Sequence, residues 1–150
     1  AHGCAHTIVT GGMTAEDMAR EIPKRVREIT AGEGVPVVYD SVGKDTFMDS
    51  LACLRPLGMM VSFGNASGPV PAFEPALLAK MGSLFLTRPT LFHYTARRAD
   101  LLAMADELFA MVAAGQVRIS VNQRYPLKDA ALAHAALEAR RTTGSTVLIP

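Results

Sequence analysis

The sequence has few cysteines, little net charge and no long apolar run, and each absence excludes a class of protein. Its two cysteines, Cys4 and Cys53, lie far apart, so a disulfide framework and a structural zinc site both lack ligands, and a reducing cytoplasm is expected. Fifteen basic and fourteen acidic residues leave a net charge of +1, which disfavours nucleic acid as a partner. No stretch approaches the roughly 18 consecutive apolar residues of a membrane span, so no membrane partner is expected.

Several motifs that carry chemistry are also missing. The sequence contains no Gly-x-Gly-x-x-Gly turn after a strand and no Walker-type lysine loop, the two common phosphate-binding turns. It contains no Gly-x-Ser-x-Gly elbow, so a hydrolase triad lacks its nucleophile. No metal site is predicted, because the histidines lack the spacing of metal ligands; they are His2, His6, His93 and His134.

What the sequence does contain is an alternation of short apolar runs with helical periodicity. Hydrophobic residues make up 49% and charged residues 19%, enough apolar material for a sizeable core. Strands joined by helical crossovers run parallel when they share a sheet, so the pattern predicts an α/β fold. The predicted strands span residues 6–9, 35–42, 59–63, 83–87, 117–121 and 145–149. The predicted helices span residues 14–30, 45–54, 74–80, 99–114 and 129–140, with Thr14 and Asp45 as N-caps and Pro23 expected to kink or split the first helix.

Three consecutive predicted strands end in small, polar loops. These loops are Asp40-Ser41-Val42-Gly43, Phe63-Gly64-Asn65-Ala66-Ser67-Gly68 and Arg88-Pro89-Thr90-Leu91. Ligands of an open parallel sheet bind beyond the carboxyl ends of its strands, so we expect Ser41, Asn65 and Thr90 to surround a common hollow. Ordinary tight turns are the alternative for any one of these loops.

Read in order, five segments resemble zeta-crystallin-type quinone oxidoreductases, of the zinc-independent branch of the medium-chain dehydrogenase/reductase superfamily. The segments are VVYDSVGKDTF, LRPLGMMVSFGNASGPV, KMGSLFLTRPTL, NQRYPLKDAALAH and EARRTTGSTVLIP. The resemblance covers residues 24–150 and is poor between Thr10 and Pro23. Family members are longer, and the chain corresponds to their C-terminal half.

The resemblance implies an enzyme that transfers hydride from NADPH to quinones or related electron-poor carbonyl compounds. It implies a cytoplasmic homodimer, joined through the strand from Ser83 to Thr87. Arg88 is the candidate for the substrate pocket, and no catalytic residue is assigned. The cofactor contacts carried over from the family are Val42, Phe63, Gly64, Asn65, Ala66, Pro89, Thr90, Leu91 and Arg140.

The resemblance also implies an incomplete nucleotide-binding fold. Residues 1–98 correspond to a partial Rossmann-type parallel sheet with helices, and residues 99–150 to a linking helix and C-terminal helix and strand elements of the catalytic domain. The first two strands of the sheet and the glycine-rich turn are missing, so NADPH binding by this chain alone is expected to be weak or absent, and the chain inactive. The strand at residues 37–42 is left with an open edge, and we expect either that residues 6–9 relocate or that a terminal segment or a neighbouring molecule covers this edge.

Two other interpretations remain open at this point. The chain is alternatively a non-catalytic α/β module for dimerisation or interaction that derives from the same family. A methyltransferase is a weaker third hypothesis, which depends on Asp40 at a strand end and gives the Arg-Pro-Thr-Leu segment no role.

Overall fold

The structure is a computed structural model that describes residues 3–150, so residues 1 and 2, including His2, lie outside the described residues. The chain divides into two compact units, Gly3–Thr95 and Ala96–Pro150, and each is described by itself. Both contain helices and parallel strands, which confirms the predicted α/β class.

The first unit alternates helices and strands along the chain. Its strands are β1 (Val35–Asp40), β2 (Leu54–Ser62) and β3 (Phe85–Thr87). Its helices are α1 (Ala15–Ile29), α2 (Phe47–Cys53), α3 (Ala76–Lys80) and α4 (Leu91–Tyr94). The three strands are parallel in the order β1-β2-β3, so all their carboxyl ends lie at one edge of the sheet.

The core of this unit lies between the sheet and the crossover helices. Phe47 and Leu51 of α2 are 3% and 1% exposed, and they pack with Leu54 and Met60 of β2. Residues of α3, including Leu77, complete the cluster. Because α2 and its neighbours anchor the strands from this side, the loops at the strand ends begin from fixed positions.

Helix α1 begins as its sequence predicts and continues past its proline. The Thr14 hydroxyl accepts a hydrogen bond from the Asp17 amide, and the Asp17 carboxylate accepts one from the Thr14 amide, which forms a capping box. The helix runs unbroken through Pro23 to Ile29, so the expectation that the proline splits it is wrong, and a kink at the proline stays a prediction. The Asp45 cap is also wrong, since α2 begins at Phe47 and Thr46 occupies the N-cap position.

The predicted strand at residues 6–9 does not form. This segment has no neighbouring strand to supply hydrogen bonds, and Val9 is exposed. Among residues 3–150, β2 is the strand partner of β1, and Tyr39 of β1 is 73% exposed. Residues 6–9 therefore do not pair with β1, and cover of its outer edge by a terminal segment or a neighbouring molecule stays a prediction.

The second unit is built around a separate two-stranded sheet. Helix α5 (Arg98–Ala113) is followed by β4 (Val121–Pro126), a 3₁₀ turn, α6 (Ala130–Glu138) and β5 (Ser145–Ile149), and β4 is parallel to β5. The strand predicted at residues 117–121 is wrong in position, because the pairing with β5 starts only at Val121. Within the described residues, even the longest helix, the 16-residue α5, falls short of what a membrane crossing requires in length and apolarity.

Candidate functional site

The loops after β1 and β2 are joined by hydrogen bonds. The Ser41 carbonyl accepts from the Ala66 amide at 3.2 Å, and the Val42 carbonyl accepts from the Ser67 amide at 2.8 Å. The Ser67 hydroxyl donates to the same Val42 carbonyl at 2.9 Å. Two loops separated by more than 20 residues in sequence therefore form one layer at the carboxyl edge of the sheet.

Glycine is required where these two loops meet. Gly43 has φ +90°, and a Cβ atom there would lie 2.7 Å from the Gly68 carbonyl oxygen. A Cβ atom on Gly64 would overlap the Ser41 carbonyl oxygen and lie 2.8 Å from Ser41 Cα. The neighbouring atoms are backbone atoms in both cases and cannot rotate away. The two loops can therefore approach this closely only because Gly43 and Gly64 have no side chain.

A buried carboxylate holds the turn after β1. Asp40, 4% exposed, accepts hydrogen bonds from the amides of Val42 and Gly43 at 2.8 and 3.0 Å. It also accepts from the hydroxyls of Thr46 and Ser50, each at 2.8 Å. Burial alone raises the pKa of the Asp40 carboxyl, but hydrogen bonds from Gly43, Thr46 and Ser50 outweigh it, and the pKa lies below its ordinary value. Asp40 is therefore ionised at neutral pH.

Arg88 joins the loop after β3 to β2. Its Nη1 donates to the Ser62 carbonyl at 2.9 Å, which leaves other guanidinium N–H groups for a ligand. A larger hollow of about 690 Å³ lies beside it, lined by Phe63, Arg88, Pro89, Thr90, Leu91 and Tyr94. A smaller hollow of about 250 Å³ shares Arg88 and is lined by Phe47, Ser62, Asn65, Pro69, Val70, Phe73, Leu86 and Arg88.

The structure brings most of the predicted site residues of the first unit together. Phe63, Pro89, Thr90 and Leu91 line the larger hollow with Arg88, and Asn65 lines the smaller one. Gly64 lies between the loops, and Val42 and Ala66 take part in the hydrogen bonds that join them. Ser41 enters neither lining, so the expected common hollow is instead a pair of hollows that share an arginine.

Arg140, in the second unit, lies at the end of α6 in a conformation that usually belongs to glycine. Its φ is +55°. Its amide donates to the Leu137 carbonyl, and the next amide, of Arg141, donates to the Ala136 carbonyl. This hydrogen-bond pattern is the Schellman motif, in which glycine commonly occupies the position of Arg140. The arginine therefore carries a conformational cost that glycine would avoid.

Sequence reasoning missed Tyr94, which lines the larger hollow. It lies on α4, a helix of four residues that was not predicted. The available signal was its position three residues after Leu91, since residues three apart share one face of a helix. A four-residue helix is too short for apolar periodicity to show it.

The chemistry of the larger hollow is that of a binding surface. Its lining offers aromatic and aliphatic walls, two hydroxyls and one guanidinium, with no carboxylate, imidazole or thiol. Arginine keeps its proton at any ordinary pH and is a poor general base. The lining therefore suits the binding and orientation of a ligand, and the phenol of Tyr94 is its one candidate for general acid–base chemistry.

The comparisons with known proteins identify the family. A family model described as zinc-binding dehydrogenase matches residues 3–148. The chain belongs to this family. A quinone oxidoreductase of Pseudomonas aeruginosa is 53% identical over 149 residues, covering 99% of the chain and 44% of that protein. The predicted resemblance to quinone oxidoreductases is confirmed.

Two further proteins are similar to most of the chain. The crystal structure of Escherichia coli quinone oxidoreductase complexed with NADPH superposes with a TM-score of 0.80, at 49% sequence identity. The match covers 86% of this chain and 40% of that one. A 2-haloacrylate reductase of a Burkholderia species is 46% identical, covering 99% of the chain and 43% of that protein. The chain thus spans less than half the length of the relatives it matches.

The description of this family names zinc, and the described residues do not fit a zinc site. Within residues 3–150 no group of three or more His, Cys, Asp or Glu side chains lies close enough to share a metal ion. Burial, with the charge of Asp49, raises the pKa of the Cys53 thiol to about 11.

Proposed function

We propose that this chain forms one wall of an NADPH site in an enzyme that reduces quinones. This proposal depends on one observation: hydrogen bonds join the strand-end loops, and the loops after β2 and β3 line two hollows that share Arg88. Such an edge is where open parallel sheets bind nucleotides. The proposal draws further support from the 49% identity to a quinone oxidoreductase complexed with NADPH.

The proposed roles follow the position of each side chain. When bound, NADPH supplies a hydride, which with one proton from solvent reduces a quinone to a hydroquinone and leaves NADP⁺. Arg88, held by its bond to the Ser62 carbonyl, offers its remaining N–H groups to a substrate oxygen. The proposed cofactor contacts are Val42, Phe63, Gly64, Asn65, Ala66, Pro89, Thr90, Leu91 and Arg140.

The assembly around this site is also proposed. Residues 99–150 are assigned to a linking helix and part of the catalytic domain, following the resemblance. Two copies are proposed to join through the strand from Ser83 to Thr87. Within the described residues β2 is the strand partner of β3, and Phe85 of β3 is 56% exposed, so the other edge of β3 offers free backbone groups and apolar surface.

We expect the 150-residue chain alone to bind NADPH weakly and to be inactive. The chain lacks a glycine-rich turn for the pyrophosphate, and charge-assisted hydrogen bonds contribute about 1.5–3 kcal/mol each. Titration of NADPH fluorescence with the chain should give a millimolar dissociation constant or no binding. The complete gene product should consume NADPH when a benzoquinone is added, with one hydroquinone formed per NADPH oxidised.

The same assays separate the competing functions. A micromolar dissociation constant for the 150-residue chain would contradict the proposal of weak binding. A complete gene product that neither binds NADPH nor reduces quinones would favour the non-catalytic dimerisation or interaction module. A 2-haloacrylate tested in parallel shows whether the substrate is instead an electron-poor alkene, as the name of the Burkholderia relative suggests.

Replacement of Arg140 by glycine should stabilise the chain and weaken its cofactor site. Glycine adopts the left-handed conformation freely, so Arg140→Gly should raise the free energy of unfolding by up to about 1 kcal/mol. It should also raise the KM for NADPH of the complete gene product, because the proposed contact is lost. Urea unfolding and steady-state kinetics measure the two effects.

Ala31→Gly is the matched control for this variant. Ala31 has φ +51° at the end of α1 and no proposed contact with NADPH. This substitution should stabilise the chain to a similar degree and leave the KM unchanged. An Arg140→Gly variant with an unchanged KM would remove Arg140 from the cofactor site.

A further inference from the structure

Asp40 is the one fully buried carboxylate among the described residues, and it lines neither hollow. Its two oxygens accept hydrogen bonds from groups on both sides of the turn after β1. The amides of Val42 and Gly43 lie within the turn, and the hydroxyls of Thr46 and Ser50 lie at the start of α2 and inside it. The carboxylate therefore joins the end of β1, the turn and α2.

The turn that Asp40 holds is the part of the β1 loop that contacts the β2 loop. Val42, whose amide donates to Asp40, accepts two hydrogen bonds from Ser67 through its carbonyl oxygen. Gly43, whose amide also donates to Asp40, packs against Gly68 with no space for a side chain. A change in the turn would displace both loops, and with them the residues of the proposed NADPH wall.

We propose that Asp40 is a positioning residue for NADPH, acting through the turn at Val42 and Gly43. The inference rests on the proposed function, since it assigns a part of the same site. Asp40 itself is not proposed to contact the cofactor. It keeps its four hydrogen-bond donors in one arrangement. The Val42 backbone and the Gly64 region are then already in position when the cofactor binds.

The hydrogen-bonding groups around Asp40 predict which substitution preserves its positioning role. An asparagine has one carbonyl oxygen that can accept from the amides of Val42 and Gly43, as Asp40 Oδ1 does. Its NH₂ group can donate to the hydroxyls of Thr46 and Ser50, because a hydroxyl accepts as well as donates. Asn therefore keeps the turn in place without the charge, whereas alanine leaves four donors without their partner.

The test compares variants of the complete gene product in NADPH-dependent quinone reduction. Asp40→Ala should raise the KM for NADPH about tenfold, with a smaller effect on kcat, because loss of charge-assisted hydrogen bonds loosens the turn. Asp40→Asn should restore the KM to within about threefold of the wild type. Asp45→Ala, which removes an exposed carboxylate from the same loop, should leave the KM unchanged.

A further variant decides the matter if Asp40→Ala does not fold. Thr46→Val removes the hydroxyl that anchors the carboxylate to the start of α2 and leaves the carboxylate in place. It should raise the KM severalfold and lower the melting temperature by about 3–10 °C, so that the variant remains folded in the assay. Wild-type KM values for Thr46→Val, or for a folded Asp40→Ala, would overturn the inference, as would an Asp40→Asn variant as defective as alanine. A wild-type protein without NADPH-dependent activity would instead refute the proposed function itself.

Discussion

Replacement of Gly64 by alanine is expected to separate the two loops that form the site. The new Cβ atom would overlap the Ser41 carbonyl oxygen and lie 2.8 Å from Ser41 Cα, and the backbone there cannot rotate away. Relief of this overlap breaks the hydrogen bonds from Ala66 to Ser41 and from Ser67 to Val42. Overpacking and two lost hydrogen bonds together predict a destabilisation of about 2–4 kcal/mol. Urea unfolding of the 150-residue chain measures it.

Gly11→Ala is the matched control for this prediction. No atom lies within 4 Å of the position that a Cβ atom on Gly11 would take, and this glycine does not have a positive φ. Its replacement should leave the unfolding midpoint unchanged or raise it slightly, because alanine restricts the unfolded chain. Equal midpoints for the two variants would show that the loops do not meet as described.

Replacement of Leu51 by alanine is the second large expected effect. Leu51 of α2 is 1% exposed and lies in the cluster with Phe47, Leu54 and Met60. Loss of buried methylene groups and the resulting cavity should cost about 2–5 kcal/mol. A domain of this size has a total stability of only about 5–15 kcal/mol, so the variant should unfold at much lower urea. Chemical denaturation followed by circular dichroism measures the change.

Met48, in the same helix, provides the comparison for Leu51. Its side chain is 52% exposed, so Met48→Ala removes few buried contacts and should change stability by less than about 0.5 kcal/mol. A similar loss for both variants would indicate that α2 does not pack on the sheet through Leu51. The contrast depends on burial alone, since both residues occupy one helix.

The predicted strands of the first unit formed where their sequences carry apolar runs between helices. Residues 35–42, 59–63 and 83–87 were placed correctly in the chain, although β2 starts earlier, at Leu54, and β3 spans only Phe85–Thr87. Residues 6–9, in which Ile8 and Val9 are apolar, form no strand. A strand needs hydrogen bonds from a neighbour, and the availability of a neighbour is a property of the fold rather than of the segment.

The candidate site was predicted as three loops, but not as a connected structure. Glycines and small polar residues after parallel strands are visible in the sequence, and so is the arginine at position 88. Tyr94 was missed because its helix has only four residues. The sequence shows Asp40 only as a carboxylate at a strand end, because its hydrogen bonds to Thr46 and Ser50 depend on how the turn and α2 fold together.

The sequence by itself determined the α/β class, the order of the main elements and the family, because apolar periodicity and linked motifs are properties of the chain. The tertiary structure alone decided which loops touch, since hydrogen bonds such as that from Ser67 to Val42 join residues 25 positions apart. It also decided that Gly64 has no space for a side chain and that Asp40 is buried among four donors. Such contacts arise only when packing brings distant segments together, and no local pattern encodes them.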